Sequence, residues 1–501
     1  MNPENGTVAS PVRQSTLVAP GELEAEATML FAAGFRLALV AGHDDGRRLR
    51  AVYVFTTGSP DRRVELQVRL DPTRPAVPSL ARLSFPASRF EREMHDLFGI
   101  EPIGHPFLRP LVLHQHWPTD WHPMRHDAGE SPPMWTDAEP FPFVAVEGPG
   151  VYEIPVGPVH AGLIEPGHFR FSVVGETILK MKARLWFVHR GIEKLFEGRE
   201  ITGGVVLAER ISGDTAVGHN LAYCLAIEDA CRIELPDEAA RLRALLLELE
   251  RIYNHVTDVG ALCNDVGYGI AQARALALRE QLLRLNADVT GHRLLRGAIR
   301  PGATSLRRLP TEVELNQIAS RFEDLVGLAT TNTVVMDRFQ GTAVLSKSDA
   351  AAIGTLGVVA RGSGLTLDAR ATQAFVDLGD ELPVVEDAGD VMARFSVRVR
   401  EVRASLNLAT VLAGTARRFQ VVAPSGVARG GGSGLGIVEG WRGTIIHRVE
   451  VDASGRLTRC KVVDPSFLNW PALSVALADT IVPDFPLVNK SFNLSYAGND
   501  L

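Results

Sequence analysis

Cysteine is scarce in this chain, and the few residues present stand apart. Among 501 residues only Cys224, Cys231, Cys263 and Cys460 occur. No two form a CxxC pair, so their spacing matches neither a zinc site nor an iron–sulfur cluster. Small buried hydrophobes in a reducing compartment are the expected role. Long apolar runs are missing too. The best stretch, LFAAGFRLALVAG, is short and broken by Arg36, so no segment is expected to span a membrane. The opening MNPENGTVAS lacks the basic-then-apolar order of a secretory leader. There is no basic excess either: the formal net charge is −7, which argues against nucleic acid as a partner. A cytoplasmic protein is expected, with any membrane contact made through partners.

What is present is ordinary globular composition, 46% hydrophobic and 22% charged, in a length that suggests two to four domains. Residues 1–120 read as a small α/β unit. GELEAEATMLFAAGFRLALVAG has helical apolar spacing, and RLRAVYVFTT and RRVELQVRLD alternate as the strands of a hairpin. In FEREMHDLFGIEPIGHPFLRPLVL, the residues Glu91, Arg92, Glu93, His95 and Asp96 read as a charged helix face in preference to an acid–base cluster. Residues 121–150 form a linker within a stretch rich in Pro, Trp and His. Its histidines, His114, His116, His122 and His126, match no compact metal site.

From Val151 a second unit begins. Gly157-Pro158 and Pro166-Gly167 are turn dipeptides, and a hairpin tip carries His160, Glu165 and His168. Such a tip reads equally as a solvated loop or as proton-handling groups pushed into a cavity. Leu242, Leu245, Leu246, Leu249, Ile252, Tyr253 and Val256 fall on one helical stripe. ARALALREQLLRLNADVTGHRLLRG continues it, so two long antiparallel helices are expected, turning near Asp265 and Gly267. Arg251, His255 and Asp258 read as a polar helix face that satisfies core hydrogen bonds in preference to catalysis. The glycine run GVARGGGSGLG has no phosphate-loop register, and a β-hairpin turning at Asp452–Gly455 follows it.

IPVGPVHAGLIEPGHFRF followed by VHRGIEKLFEGRE resembles the large subunit of membrane-bound, energy-converting [NiFe]-hydrogenases, including formate hydrogenlyase. It is similar, more distantly, to the 49-kDa subunit of respiratory complex I. The FEREMHDLFGI segment resembles the complex I 30-kDa subunit, and fusion of the two parts is itself a hydrogenase-family arrangement. The resemblance implies an α+β chain. Its N-terminal α/β domain, residues 1–120, leads through the linker to a mainly helical domain, 151–501, with peripheral β-hairpins. It also implies that Glu439, Arg442 and Gly443 match a Glu-x-x-Arg-Gly element beside the active cavity.

The pattern then breaks. The family's nickel–iron centre needs four thiolates from two CxxC motifs, because soft, charge-donating sulfur is what holds low-valent nickel. Ser212 and Thr215 stand where the first pair belongs, and Asp464-Pro465-Ser466 leads to no cysteine at the second. Gly213 occupies the place of complex I's quinone-binding tyrosine. The expectation is therefore a large subunit of a membrane-associated oxidoreductase, NADH-quinone oxidoreductase-like or hydrogenase-like, without a Ni–Fe centre or other directly bound cofactor. A small partner subunit would carry a [4Fe-4S] cluster, and membrane-embedded partners would couple ion translocation at the cytoplasmic face. Glu165, His168 and Arg170 are the expected catalytic groups for a quinone or other small acceptor. His160, Ser212, Asp214, Thr215, His219, Glu439, Arg442 and Ser466 are expected around its cavity, with Arg190 nearby. A non-catalytic coupling scaffold is the alternative.

Overall fold

Alternating apolar residues build the first sheet. The protein is seen in a computed structural model that describes residues 12–501 except 59, 138, 162–163, 380–381 and 424–430. Strands β1 (Val12–Val18), β2 (Arg36–Asp44), β3 (Leu49–Thr57) and β4 (Arg62–Leu70) lie in the order β1-β4-β3-β2, with β1 parallel to β4 and the rest antiparallel. The helical spacing read over residues 21–42 is only half right. Helix α1 (Leu23–Ala32) stops where Gly34 takes a left-handed φ of +81°, and the apolar run beyond it becomes β2. A strand buried on both faces shows no alternation, so its sequence passes for buried helix.

Helix α2 (Phe85–Phe98) packs on β2, and its acidic residues Glu91, Glu93 and Asp96 are buried ties. Glu91 accepts from Ser79 Oγ at 2.5 Å and the Leu80 amide at 2.7 Å. Asp96 Oδ2 accepts from the amides of Leu111, Val112 and Leu113 at 2.7, 2.8 and 3.2 Å. After the short parallel pair β5 (Ala76–Pro78) and β6 (Glu101–Ile103), the described residues of 104–150 form no helix or strand. They are nonetheless held: Trp117 stacks on Trp121 at 5.2 Å, and the Trp135 amide donates to His116 O at 2.8 Å.

The second unit opens with the antiparallel sheet β7 (Val151–Val156), β8 (His168–Val174) and β9 (Thr177–Arg184). Helices α3 (Ile192–Phe196), α4 (Ile201–Ala208) and α5 (Ala216–Cys231) follow. The 29-residue α6 (Asp237–Asp265) and α7 (Gly269–Thr290) turn at Gly267, φ +85°. The small sheet β10 (Ile299–Arg300), β11 (Ala303–Ser305) and β12 (Gln420–Val422) brackets the remaining helices. These are α8 (Glu312–Thr331), α9 (Thr333–Phe339), α10 (Lys347–Ile353), α11 (Gly357–Gly362), α12 (Ala369–Thr372) and α13 (Val391–Thr415). Packing of α13 against α6 buries a dense ionic network. Glu401 accepts from Arg361 at 2.5 Å and Arg251 at 3.1 Å and lies 2.9 Å from His255 Nε2, while Asp258 accepts from Arg398 at 3.0 Å.

Sheet β13 (Gly432–Glu439), β14 (Thr444–Val451) and β15 (Leu457–Val463) is a layer between α5 and the first sheet. Its period of two is visible in adjacent residues: His447 faces His219 on α5 at 3.2 Å, while Arg448 reaches Glu65 on β4 at 3.1 Å. The glycine run is explained by this packing where it is described. A Cβ on Gly434 or Gly436 would come within 1.9 Å of the carbonyls of Ala226 or Ala222 on α5. Residues 426–430 of the run lie outside the described residues. Helices α14 (Pro465–Ala476), α15 (Phe485–Phe492) and α16 (Tyr496–Asp500) fold the C-terminal segment back against β9, α6, α10 and α13, and bring Ser495 to the α4–α5 turn and Ala497 to the loop before β8. Among the described residues no helix is long and apolar enough to cross a membrane.

Candidate functional site

The turn from α4 into α5 carries Ser212, Asp214 and Thr215, and the loop from β13 to β14 brings Arg442 onto it. Arg442 Nη1 and Nη2 donate to the two carboxylate oxygens of Asp214 at 2.6 and 2.7 Å, a bidentate pair. Ser212 Oγ and Thr215 Oγ1 each donate to Asp214 Oδ1 at 3.0 Å. Tyr253, Asn254 and Trp441 hold the Asp214 carbonyl at 3.2, 2.8 and 3.2 Å, which fixes the turn from behind. Burial pushes the Asp214 carboxyl up, but the Arg442 guanidinium and the two hydroxyls outweigh it and hold the group at about 2. Its side chain is still 39% exposed, so the cluster opens to the surface on that side.

Behind it stand His219 and Asp464, both buried. His219 Nε2 lies 3.0 Å from Asp464 Oδ2, and Asp464 caps α14 through the Ser466 amide at 2.7 Å. Ser466 Oγ accepts from the Ser495 amide at 2.9 Å, and Ser495 Oγ returns to Ser212 Oγ at 2.9 Å. These contacts join Ser212, Asp214, Thr215, His219, Arg442 and Ser466 into one connected cluster. Glu439, three residues before Arg442, is instead in the buried ionic network, paired with Arg361 at 2.7 Å and accepting from Thr444 at 2.8 Å.

The hairpin residues divide between two places. Glu165 Oε2 accepts from the Ala497 amide at 3.0 Å, two residues beyond Ser495 in the first turn of α16. Arg190 braces the same region, donating to Ile211 O at 2.6 Å and Ala497 O at 3.3 Å. Asp500 completes it; burial raises its carboxyl to about 6, with the Glu165 charge adding to the rise. His160 Nε2 is spent on Gly167 O at 2.8 Å, closing the turn. His168 and Arg170 line a recess of about 510 Å³ with His114, Phe143, Arg184 and Trp186. His168 Nδ1 meets Gly157 O at 3.0 Å while its Nε2 is buried without a partner. Arg170 pairs with Glu153 at 3.4 Å and lies 4.5 Å from the Phe143 ring centre.

Sequence reasoning named neither Ser495, whose hydroxyl links the cluster to α16, nor Trp441, which packs 4.0 Å from the Arg442 guanidinium. The signal for Ser495 was its place at the N-cap of a short helix; nothing local pointed to Trp441. Among the described residues, the one grouping of metal-ligand atom types is His43, Asp45 and Glu450, and the Arg50 and Arg448 guanidiniums bond to Glu450 there.

Comparison with known proteins covers nearly the whole chain. The model of the 30 Kd subunit of respiratory-chain NADH dehydrogenase matches residues 16–132, and that of its 49 Kd subunit matches 265–413. Nickel-dependent hydrogenase matches 190–263. Formate hydrogenlyase subunit 5 of Escherichia coli is 31% identical over 87% of this chain and 79% of its own. The chain belongs to this hydrogenase and complex I large-subunit family. Carbon monoxide-induced hydrogenase of Rhodospirillum rubrum is 30% identical over 68% of the chain and 97% of that relative. A chain of the membrane-bound sulfane sulfur reductase, an archaeal respiratory membrane complex, superposes with a TM-score of 0.62 at 25% identity. That match covers 70% of this chain and 99% of the other.

The match to nickel-dependent hydrogenase implies a nickel–iron centre, and the residues here do not fit one. The donors that converge on the α4–α5 turn are hydroxyl and carboxylate oxygens, hard ligands where soft thiolates are required. A guanidinium already bonds Asp214 and reaches Thr215 Oγ1 at 3.2 Å. That fixed positive charge opposes a cation in the same place.

Proposed function

We propose that this large subunit works without a nickel–iron centre, receiving electrons from an iron–sulfur partner and delivering them to a small acceptor, a quinone in the first instance. The observation that carries the reading is the Arg442–Asp214 pair, seated with Ser212 and Thr215 in an oxygen-only cluster. The partner subunit docks over the face that exposes Asp214 and Glu165. The acceptor enters the recess beside His168 and Arg170, where an imidazole nitrogen without a partner and an aromatic wall suit a ring bearing carbonyl oxygens. Two electrons from the partner and two protons, supplied through His168 and the Glu165–Asp500 carboxyls, convert quinone to quinol. Membrane-embedded partners couple that step to ion translocation at the cytoplasmic face. A second reading follows from the sulfane sulfur reductase likeness, with a sulfane sulfur compound as the acceptor in place of quinone.

The test is the native complex, assayed with a soluble quinone, with polysulfide and for hydrogen evolution, alongside elemental analysis. We expect no stoichiometric nickel, and reduction of one of the first two acceptors that falls in His168→Ala. About one nickel per chain retained through chelation overturns the metal-free reading. A complex that assembles, translocates ions with its partners and reduces no acceptor is the coupling scaffold instead.

A further inference from the structure

Adjoining the recess beside His168, and sharing Phe141, Phe143, Arg184 and Trp186 with it, is a second cleft of about 500 Å³ between α2, β9 and α14. Phe85, Phe107, Phe141, Phe143 and Trp470 form its apolar walls. Its charged lining is of one sign: Arg89, Arg92, Arg109, Lys182 and Arg184 face it, and neither Asp nor Glu does. That is unusual in a chain of net charge −7. Lys182 has a carboxylate partner in Glu153, but among the described residues none of the four arginines forms an ion pair. Arg92 donates to the carbonyls of Arg109 and Pro110, Arg109 to that of Pro142, and Arg184 to those of Leu111 and Leu113.

Arg89 is the telling residue. Only 9% of the residue is exposed. Its Nε has no partner, and Nη2 has only a long 3.5 Å bond to Asn499 Oδ1. The guanidinium sits 4.7 Å from the Phe467 ring centre and 5.6 Å from that of Trp186. The nearby carboxylates are committed elsewhere, Glu93 to Lys461 at 2.8 Å and Asp500 to Asn499 Nδ2 and the Val188 amide. Burial pushes Arg89 down to about 9 and Arg184 to about 10. A buried cation without a counter-charge is costly, and it persists where something outside the chain compensates it.

We infer that this cleft binds an amphipathic anion, a carboxylate or phosphate headgroup on an apolar chain. The headgroup meets the arginines around Arg89, and the chain lies along the aromatic walls. The volume is in the range of ligand pockets and too large for a bare headgroup. Fatty acid and anionic phospholipid share this chemistry, and a peripheral subunit of a membrane complex meets both.

The test titrates the purified full-length chain with decanoate and with monomeric dihexanoyl phosphatidylglycerol, followed by native mass spectrometry and calorimetry. Decanol is the uncharged control and inorganic phosphate the headgroup alone. We expect one equivalent of an anionic amphiphile to bind at least tenfold more tightly than decanol or phosphate. Preference for decanoate or for the phosphatidylglycerol identifies the source. Arg89→Met should remove that preference without lowering the melting temperature of the free protein, because it deletes an unpaired buried charge and keeps the volume. Equal affinity for decanol and decanoate overturns the inference, as does undiminished preference in Arg89→Met. So does a native complex in which a partner polypeptide fills the cleft.

Discussion

Asp214 collects four donors on one carboxylate, and its removal should show in two separable ways. Asp214→Asn leaves Arg442 without its charge partner, and Arg442 is itself only 8% exposed. Breaking a fully buried pair costs about 3–5 kcal/mol; with 39% of the Asp214 side chain in solvent, about 2 kcal/mol is expected in chemical denaturation. The carboxyl is held at about 2, below its ordinary value of 3.8, so its contribution is fully present above that ordinary value. It is lost as the pH falls through the folded-state value, and wild type and Asp214→Asn should converge between about pH 4 and pH 2. A stability gap that persists at acid pH would show that Asp214 acts through packing. Glu165→Gln tests proton delivery: it keeps the carbonyl that accepts from the Ala497 amide but cannot cycle a proton. Acceptor reduction by the assembled complex should fall about 10²–10⁴-fold. Unchanged acceptor reduction and ion pumping would reduce Glu165 to a cap on α16.

Elements divide between those whose sequence shows their neighbours and those whose sequence does not. The α6 stripe was legible because one face is apolar at helical spacing over several turns, and the turn at Gly267 followed from it. The glycines of β13 were visible as a run, but their reason was not. It lies in the α5 backbone, about 210 residues away in the chain, which a side chain on β13 would strike. Gly436→Ala should therefore destabilise by about 3 kcal/mol or more, since a backbone carbonyl cannot yield as a side chain can. A melting temperature within a degree of wild type would contradict the packing. The ionic network between α6 and α13 was half legible: Arg251, His255 and Asp258 were evident on one helix, their partners on another were not. Glu401 is held well below the usual carboxylate range because the surrounding guanidiniums and His255 outweigh its burial. Glu401→Leu takes from His255 Nε2 its carboxylate partner and removes one of the carboxylates around Arg361 and Arg251, which keep Glu439 and Glu248, and a loss of about 3 kcal/mol is expected. The site followed the same rule. Ser212, Thr215 and Arg442 could be named from motif positions, whereas Ser495 and the recess beside His168 exist only once distant segments meet.

At the scale of the molecule, the question is whether the α/β unit and the helical unit melt separately. The described residues of 104–150 lack regular structure, which suggests two bodies on a tether. The interface between them argues otherwise. Glu65 on β4 is fully buried and receives Arg448 from β14, and Glu93 on α2 is bonded at 2.8 Å by Lys461 from β15. Arg459 donates to Gly42 O on β2 at 3.0 Å, and Phe90 stacks on Phe467 at 4.9 Å. If either unit unfolded alone, the other would lose these pairs and expose the apolar surface packed around them to water. Losing the shared core and its ion pairs together disfavours partial unfolding against complete unfolding. Calorimetry should therefore show one transition whose calorimetric and van't Hoff enthalpies agree. Lys461→Met should lower its temperature without splitting it, because Glu93 and Glu193 both lose their ammonium partner. Protease should cut in 121–150 only slowly, and with little loss of the melting temperature, since β13–β15 holds the halves together after cleavage. Two resolved transitions in the wild-type chain, or a 1–120 fragment as stable alone as within the whole, would mean that the buried pairs form after each unit has already folded.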